Sequence, residues 1–165
     1  MPKIIKEINK SSPELGNSIA DFEILSELGR GSYGVVLKVR SRKNGQMYAL
    51  KKLPMKHMKP KHQKEALQEV LLLKRLSHPN IIHYYISFVE NDCLYILMEL
   101  AVEGDLDKLI KKAKKRKKLF PEKEIWRFAY EIASGLKYLH ENNIIHRDIK
   151  CLNILLSNQM TVKVW

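Results

Sequence analysis

Two stretches of this sequence hold residue types suited to handling phosphate. The first is Leu28-Gly29-Arg30-Gly31-Ser32-Tyr33-Gly34-Val35-Val36, where Gly29, Gly31 and Gly34 fit G-x-G-x-x-G and Val36 completes the pattern. Glycines let backbone N–H groups approach a phosphate with no side chain in the way, although in a hairpin they also simply make turns. The second stretch is His146-Arg147-Asp148-Ile149-Lys150-Cys151-Leu152-Asn153, which matches H-R-D-[IL]-K-x-x-N and is far more specific. Here Asp148 can orient a hydroxyl and accept its proton, Lys150 can neutralise charge on a moving phosphoryl group, and Asn153 can coordinate a metal ion. A merely solvated loop needs none of these together.

Between the two stretches lie a lysine and its candidate partner. Tyr48-Ala49-Leu50-Lys51 reads as strand, so Ala49 and Lys51 share one face and Leu50 takes the other. A strand lysine is ordinarily just solvated, but this one can point toward phosphates held at the glycines. Glu69 lies beside the apolar stripe of a helix and can meet the Lys51 ammonium. Glu65, one turn earlier, is the rival partner. A dinucleotide-binding turn would need a helix directly after the glycines, whereas a strand follows them here.

The elements that must hold these residues are legible from periodicity. FEILSELG, GVVLKVRS and QMYALKKL read as strands, with a turn at Lys43-Asn44-Gly45, and predict an antiparallel meander. KHQKEALQEVLLLKRLS predicts an amphipathic helix with Ala66, Val70, Leu73 and Leu76 on its apolar face, ending before Pro79. IIHYYISFV and CLYILMEL add two strands around Glu90-Asn91-Asp92. DLDKLIKKAKK predicts a short helix with Asp105 at its N-terminus. PEKEIWRFAYEIASGLKYLHEN predicts a long helix with Pro121 in its first turn and Ile125, Phe128, Ala129, Ile132, Leu136 and Leu139 on one face. Two strand-like pieces, in IIHRDIKCLNILLS and MTVKVW, flank a polar loop. Residues 1–20 read as an extension, and His78-Pro79-Asn80 as a turn and not a metal site.

Composition bounds the function classes. A chain of 165 residues, 45% hydrophobic and 29% charged, has the balance of one folded domain. The net charge of +12 includes seven bases in the run Lys111–Lys118, KKAKKRKK, which leaves 12 − 7 = +5 for the remainder. No aromatic residue interleaves that run, so it reads as a solvated helix end more than as a nucleic-acid patch. Cys93 and Cys151 make no disulfide framework or metal spacing, which points to a reducing compartment. The sequence has no secretory h-region and no stretch long and apolar enough for membrane insertion.

Taken in order, Gly29-x-Gly31-x-x-Gly34-x-Val36, Ala49-x-Lys51, Glu69, His78-Pro79-Asn80 and His146-Arg147-Asp148 resemble the eukaryotic protein kinase family over about residues 22–165. Within it, FEILSELGRGSYGVV, EVLLLKRLSHPNII, MELAVEGDL and HRDIKCLNILL look most like NIMA-related kinases. The resemblance implies an α+β, two-lobed fold. Residues of about 21–100 would form an N-lobe with a five-stranded antiparallel sheet and helix C, and residues of about 101–165 the first part of a helical C-lobe. ATP would bind between the lobes and Mg²⁺ beside it.

By the same resemblance, Lys51 looks like the lysine on the α- and β-phosphates, Glu69 like its ion-pair partner, and Asp148 like the catalytic aspartate. Asn153 matches a Mg²⁺-binding position, and Lys150 is the usual mark of serine/threonine specificity. Leu28 to Val36, with Ser32 and Tyr33 at the tip, would cover the phosphates. Val36, Ala49 and Leu155 resemble adenine-sandwiching residues, Met98 a gatekeeper, Glu99, Leu100 and Ala101 a hinge, and Asp105 a ribose-contacting acid. Tyr84, Leu73 and His146 match positions of the family's internal spine. Cys151 and Leu152 depart from the pattern, since proline is common at the first of these places.

The implied activity is ATP-dependent phosphorylation of serine or threonine on a protein substrate. The implied location is cytoplasmic, with cytoskeletal, centrosomal, ciliary or nuclear association. The expected D-F-G or D-L-G would follow Trp165, so the chain is expected to be the front part of a kinase domain and inactive alone. The alternative is an inactive nucleotide-binding or interaction module. Exposed apolar surface is expected on the helix at 122–142.

Overall fold

The computed structural model describes Ile8 and residues 14–31, 34–56 and 58–165, so Ser32 and Tyr33 of the glycine segment lie outside the described residues. The chain divides into two compact units, Met1–Leu76 with His83–Leu100, and Ser77–Ile82 with Ala101–Trp165.

The first unit is built on the predicted meander. Strands β1 (Phe22–Gly31), β2 (Gly34–Ser41) and β3 (Met47–Pro54) are followed by helix α1 (Pro60–Leu73) and strands β4 (Tyr84–Glu90) and β5 (Cys93–Met98). They form one antiparallel sheet in the order β1-β2-β3-β5-β4. The β4–β5 connection turns on Asn91 and Asp92, both at positive φ (48° and 56°), the two-residue geometry that matches the twist of a hairpin.

Because strand side chains alternate, the sheet has two distinct faces. Phe22, Val39, Tyr48, Leu50, Ile86, Phe88, Tyr95 and Leu97 form an apolar cluster on one, with Phe88 stacked between Phe22 and Tyr95 at 6.2 and 5.0 Å. Leu15 and Ile19, from the segment expected as an extension, pack against this cluster. The Ile19 N–H donates to Glu90 Oε2 at 2.8 Å, and Ser18 and Asp21 close a capping box around the short turn between them. The other face carries Ala49, Lys51, Leu53, Leu94, Ile96 and Met98, of which all but Lys51 are buried.

Helix α1 begins with Pro60 in its first turn, where the missing N–H costs nothing, and ends at Leu73, short of the expected Ser77. Its buried side chains are Leu67 and Val70, so the apolar face is rotated from the predicted one: Leu67 was overlooked, and Leu76 is buried beyond the helix end. The predicted strand from Ile81 likewise starts later, at Tyr84. Ile81 instead makes an isolated parallel bridge with Val164.

The second unit contains α2 (Leu106–Lys115), α3 (Glu122–Glu141) and a small antiparallel sheet of β6 (Gly104–Asp105), β7 (Ile154–Leu156) and β8 (Val162–Val164). The two-residue β6 is too short to leave a periodic signal in the sequence. Asp105 N-caps α2, its Oδ1 accepting from Lys108 N at 2.8 Å. The basic run closes the same helix, with Lys117 at φ 53° and Lys118 N returning to Ala113 O at 3.0 Å. Cations there complement the helix dipole.

Helix α3 buries Phe128, Gly135 and Leu139. The predicted face is corrected at its first end, where Ile125 is 53% exposed and Ala129 is also exposed, while Pro121 stands just before the helix. Trp126 and Tyr130 add to the expected exposed apolar surface. Gly135 marks a close approach: a Cβ there would stand 2.8 Å from Asn80 O and 3.2 Å from Val164 Cγ2. His78 stacks on Tyr138 at 4.9 Å, so His78-Pro79-Asn80 anchors its segment to α3. Both cysteines are free, and among the described residues no helix is long and apolar enough to cross a membrane.

Candidate functional site

In the first unit the sheet register lines up the glycine segment with the lysine. Gly29 pairs with Val36, Val36 with Lys51, and Lys51 with Ile96, so these residues form one row across the strands. Ala49 pairs with Met98 one step along the same face. Burial lowers the pKa of Lys51, and the negative charge of Glu69 opposes that by raising it. The rival Glu65 pairs instead with Lys61, at 4.0 Å. Glu69 itself is exposed, at the edge of the buried stripe and not within it.

The three glycines differ physically. A Cβ on Gly34 would fall onto the backbone carbonyl of Lys52, so the approach of β2 to β3 requires glycine there. Among the described residues nothing stands within 4 Å of where a Cβ would go on Gly29 or Gly31. Leu28 is exposed, Val35 and Val36 are half-buried, and Arg30 pairs with Glu27 at 2.6 Å. At the end of β5, Glu99 exchanges bonds with His83: its N–H donates to His83 O at 2.9 Å, and its Oε2 accepts from His83 N at 3.2 Å.

In the second unit, Asp148, Lys150 and Asn153 converge. Lys150 Nζ lies 2.8 Å from Asp148 Oδ2, and Asn153 Nδ2 donates at 2.8 Å to both that oxygen and the Asp148 backbone carbonyl. These bonds, first from Lys150 and then from Asn153, hold the Asp148 carboxyl below its ordinary pKa. The group is exposed. Arg147 sits at φ 66°, a conformation strained for a side chain of its size, and it turns the chain so that Asp148 faces Lys150. His146 bonds through both ring nitrogens. Nε2–H donates to Trp165 O at 2.9 Å and Nδ1 accepts from Asp148 N at 3.3 Å, which requires the neutral Nε2-protonated tautomer.

The remaining expected contacts of this unit are placed as follows. Asp105 is buried and pairs with half-buried Leu155 across β6 and β7, and its carboxylate also meets Lys108 Nζ at 3.0 Å. Ala101 O accepts from Gly104 N at 3.4 Å. For a divalent cation, Asn153 keeps Oδ1, a hard oxygen of the kind Mg²⁺ takes, because its amide nitrogen makes both bonds to Asp148. Among the described residues no group of three His, Cys, Asp or Glu side chains could hold a metal by itself.

Sequence reasoning missed a second set of residues that supports this loop. Glu131 Oε2 accepts from Val162 N at 2.6 Å and Asn80 Nδ2 donates to Val162 O at 3.0 Å. Arg127 Nη1 bridges Glu131 and the Met160 carbonyl, at 3.0 Å each. Asn80 had a signal in its His-Pro-Asn turn. Glu131 and Arg127 had none, because charges on an amphipathic helix read as a solvated face.

The family profile described as protein kinase domain matches residues 22–165. The chain is 42% identical to the probable serine/threonine-protein kinase nek3 of Dictyostelium discoideum over 136 residues, 82% of this chain and 12% of that protein. It is 40% identical to serine/threonine-protein kinase Nek4 of Mus musculus over 138 residues, 83% of this chain and 17% of that protein. With serine/threonine-protein kinase Nek1 of Mus musculus the identity is 39% over 140 residues, 85% of this chain and 12% of the relative. The chain thus spans less than a fifth of the length of these three relatives.

Proposed function

Since the chain belongs to the protein kinase domain family and is of the NIMA-related type, we propose that its residues serve ATP-dependent transfer of a phosphoryl group to serine or threonine of a protein. The observation that carries this reading is the Asp148 carboxylate, exposed, held ionised and oriented by Lys150 and Asn153 at 2.8 Å. Phosphoryl transfer needs little covalent chemistry from a protein and much positioning and electrostatic stabilisation.

In this proposal Asp148 orients the acceptor hydroxyl and takes its proton, and Lys150 offsets the charge of the phosphoryl oxygens. Lys51, set by the sheet register and by Glu69, contacts the nucleotide phosphates. Gly29 and Gly31, under no packing demand from the described residues, leave backbone N–H groups open to phosphate. Val36, Ala49, Met98 and Leu155 offer apolar surface for the adenine, Glu99 and Ala101 backbone groups for its edge, and Asp105 a carboxylate for the ribose. Bound Mg²⁺ supplies charge neutralisation at the phosphates, and Asn153 Oδ1 is the ligand the described residues provide. The NIMA-related type further favours a cytoplasmic protein associated with cytoskeleton, centrosome, cilium or nucleus.

Radiolabelled transfer to a protein acceptor by the complete kinase domain, of which this chain is expected to be the front part, tests this reading. Asp148→Asn is expected to lower kcat by about 10²–10⁴-fold, the range for loss of a general base, with the fold retained. Equal turnover by Asp148→Asn and wild type overturns the mechanism. Nucleotide binding by wild type without transfer moves the assignment to a non-catalytic nucleotide-binding module.

A further inference from the structure

Strand β8 pairs with β7, the strand that follows the loop carrying Asp148, and its outer edge is satisfied by Glu131, Asn80 and Ile82. Along that edge Val162 N–H goes to Glu131 Oε2, Val162 O to Asn80 Nδ2, Val164 N–H to Asn80 O and Val164 O to Ile82 N–H. An edge strand of three residues with those groups unpaired would have little to hold its position. The next residue continues the ladder into the loop: Trp165 N donates to Asn153 O at 2.9 Å, and Trp165 O accepts from His146 Nε2. Asn153 bonds the Asp148 carboxylate and carbonyl, and His146 accepts from the Asp148 backbone N–H.

We infer that Glu131 is a positioning residue for the phosphoryl-transfer loop: its carboxylate holds Val162, and β8 passes that placement through Trp165 to His146 and Asn153, and so to Asp148. The inference rests on the kinase reading for its functional meaning but not for its structural content. Glu131 is suited to the task by charge and place. Its side chain is 17% exposed, it makes the shortest of the bonds to β8, and Arg127 fixes its other oxygen while also gripping the Met160 carbonyl. A charge-assisted bond of this kind is stronger than a neutral one and keeps its direction. Helix α3 brings Glu131 within reach because Gly135, one turn on, lets the helix backbone approach Asn80 and Val164.

Amide hydrogen exchange on the chain, wild type against Glu131→Ala and Glu131→Gln, tests the structural content. The five-stranded sheet is the internal reference for global stability. In Glu131→Ala the amides of Val162, Trp165 and Asn153 are expected to exchange about tenfold faster or more, the scale of one hydrogen bond to a charged group, with the sheet amides unchanged. Glu131→Gln keeps an acceptor oxygen and should fall between. Acceleration at Val162 with Trp165 and Asn153 unchanged overturns the inference. If Glu131→Ala does not fold, Glu131→Gln decides by the same comparison.

In phosphoryl transfer, Glu131→Ala should lower kcat by about tenfold or more while the KM for ATP stays within about threefold, on the same scale. Glu131→Gln should recover part of the loss. An unchanged kcat in Glu131→Ala overturns the functional half. These rates are read in the complete kinase domain, where absence of transfer by wild type would instead count against the kinase reading and leave the exchange result standing.

Discussion

Asn153 grips Asp148 twice through a single nitrogen, its Nδ2 lying 2.8 Å from both the Oδ2 and the backbone carbonyl of the aspartate. One amide group thereby ties the orientation of the carboxylate to the turn of the main chain that carries it. Lys150 reaches the same Oδ2, so both side-chain donors converge on one carboxylate oxygen of Asp148.

The titration of Asp148 should follow its donors in order. Its pKa is lowered first by Lys150 and then by Asn153. Removing either donor raises it toward the ordinary carboxylate value, and Lys150→Met should raise it more than Asn153→Ala. Carboxyl-carbon NMR against pH measures both. The linkage has a definite sign: a depressed folded value means stabilisation that is present at neutral pH and lost as pH falls through that value.

Lys51 gives a slope of the same sign, but in the alkaline range. Burial lowers its pKa despite Glu69, so between its folded value and the ordinary 10.5 the unfolded chain binds the extra proton and stability rises with pH. In Lys51→Met this alkaline rise should vanish from urea midpoints, with no loss of stability at pH 7. In Glu69→Gln the Lys51 pKa should fall further. Phosphoryl transfer by Lys51→Met should drop by about a hundredfold or more, the cost of losing one preorganised electrostatic contact.

The glycines separate packing from function. Gly34→Ala sets a Cβ against the Lys52 carbonyl and should cost about 1–3 kcal/mol of stability, the usual range for overpacking. Gly31→Ala meets open space and should leave the melting temperature within about 2 °C, less than a 1 kcal/mol change would produce. Its effect should appear in nucleotide affinity, measured by calorimetry.

Asp105 has a structural duty as well as its proposed ribose contact. Asp105→Ala removes the cap on α2 and should cost about 0.5–2 kcal/mol. Asp105→Asn caps equally well, so its melting temperature should stay close to wild type. A fall in ATP affinity in Asp105→Asn then reports the ribose role alone.

Gly135→Ala should destabilise the chain although alanine is favoured over glycine by about 1 kcal/mol inside a helix. The new Cβ would stand 2.8 Å from a backbone oxygen, Asn80 O, which cannot swing aside as a side chain would. Chemical denaturation of this one variant measures the sum, and a stabilised protein would mean that α3 can move away from Asn80.

What was legible in the sequence was whatever depends on neighbours along the chain. Alternation located β2, β3 and β5, helical spacing located α3, and the order Gly29, Lys51, Asp148, Asn153 pointed to the protein kinase family before any geometry was known. The length of α1, the proximity of Glu69 and not Glu65 to Lys51, and the short β6 were decided in three dimensions. So was the ladder from Glu131 through Val162 and Trp165 to Asp148. The reason is physical. A periodic pattern reports which side of an element faces apolar surroundings. It does not report which backbone N–H on a distant strand has no partner until a carboxylate arrives, and Glu131, 31 residues from Val162, meets that need only once the chain has folded.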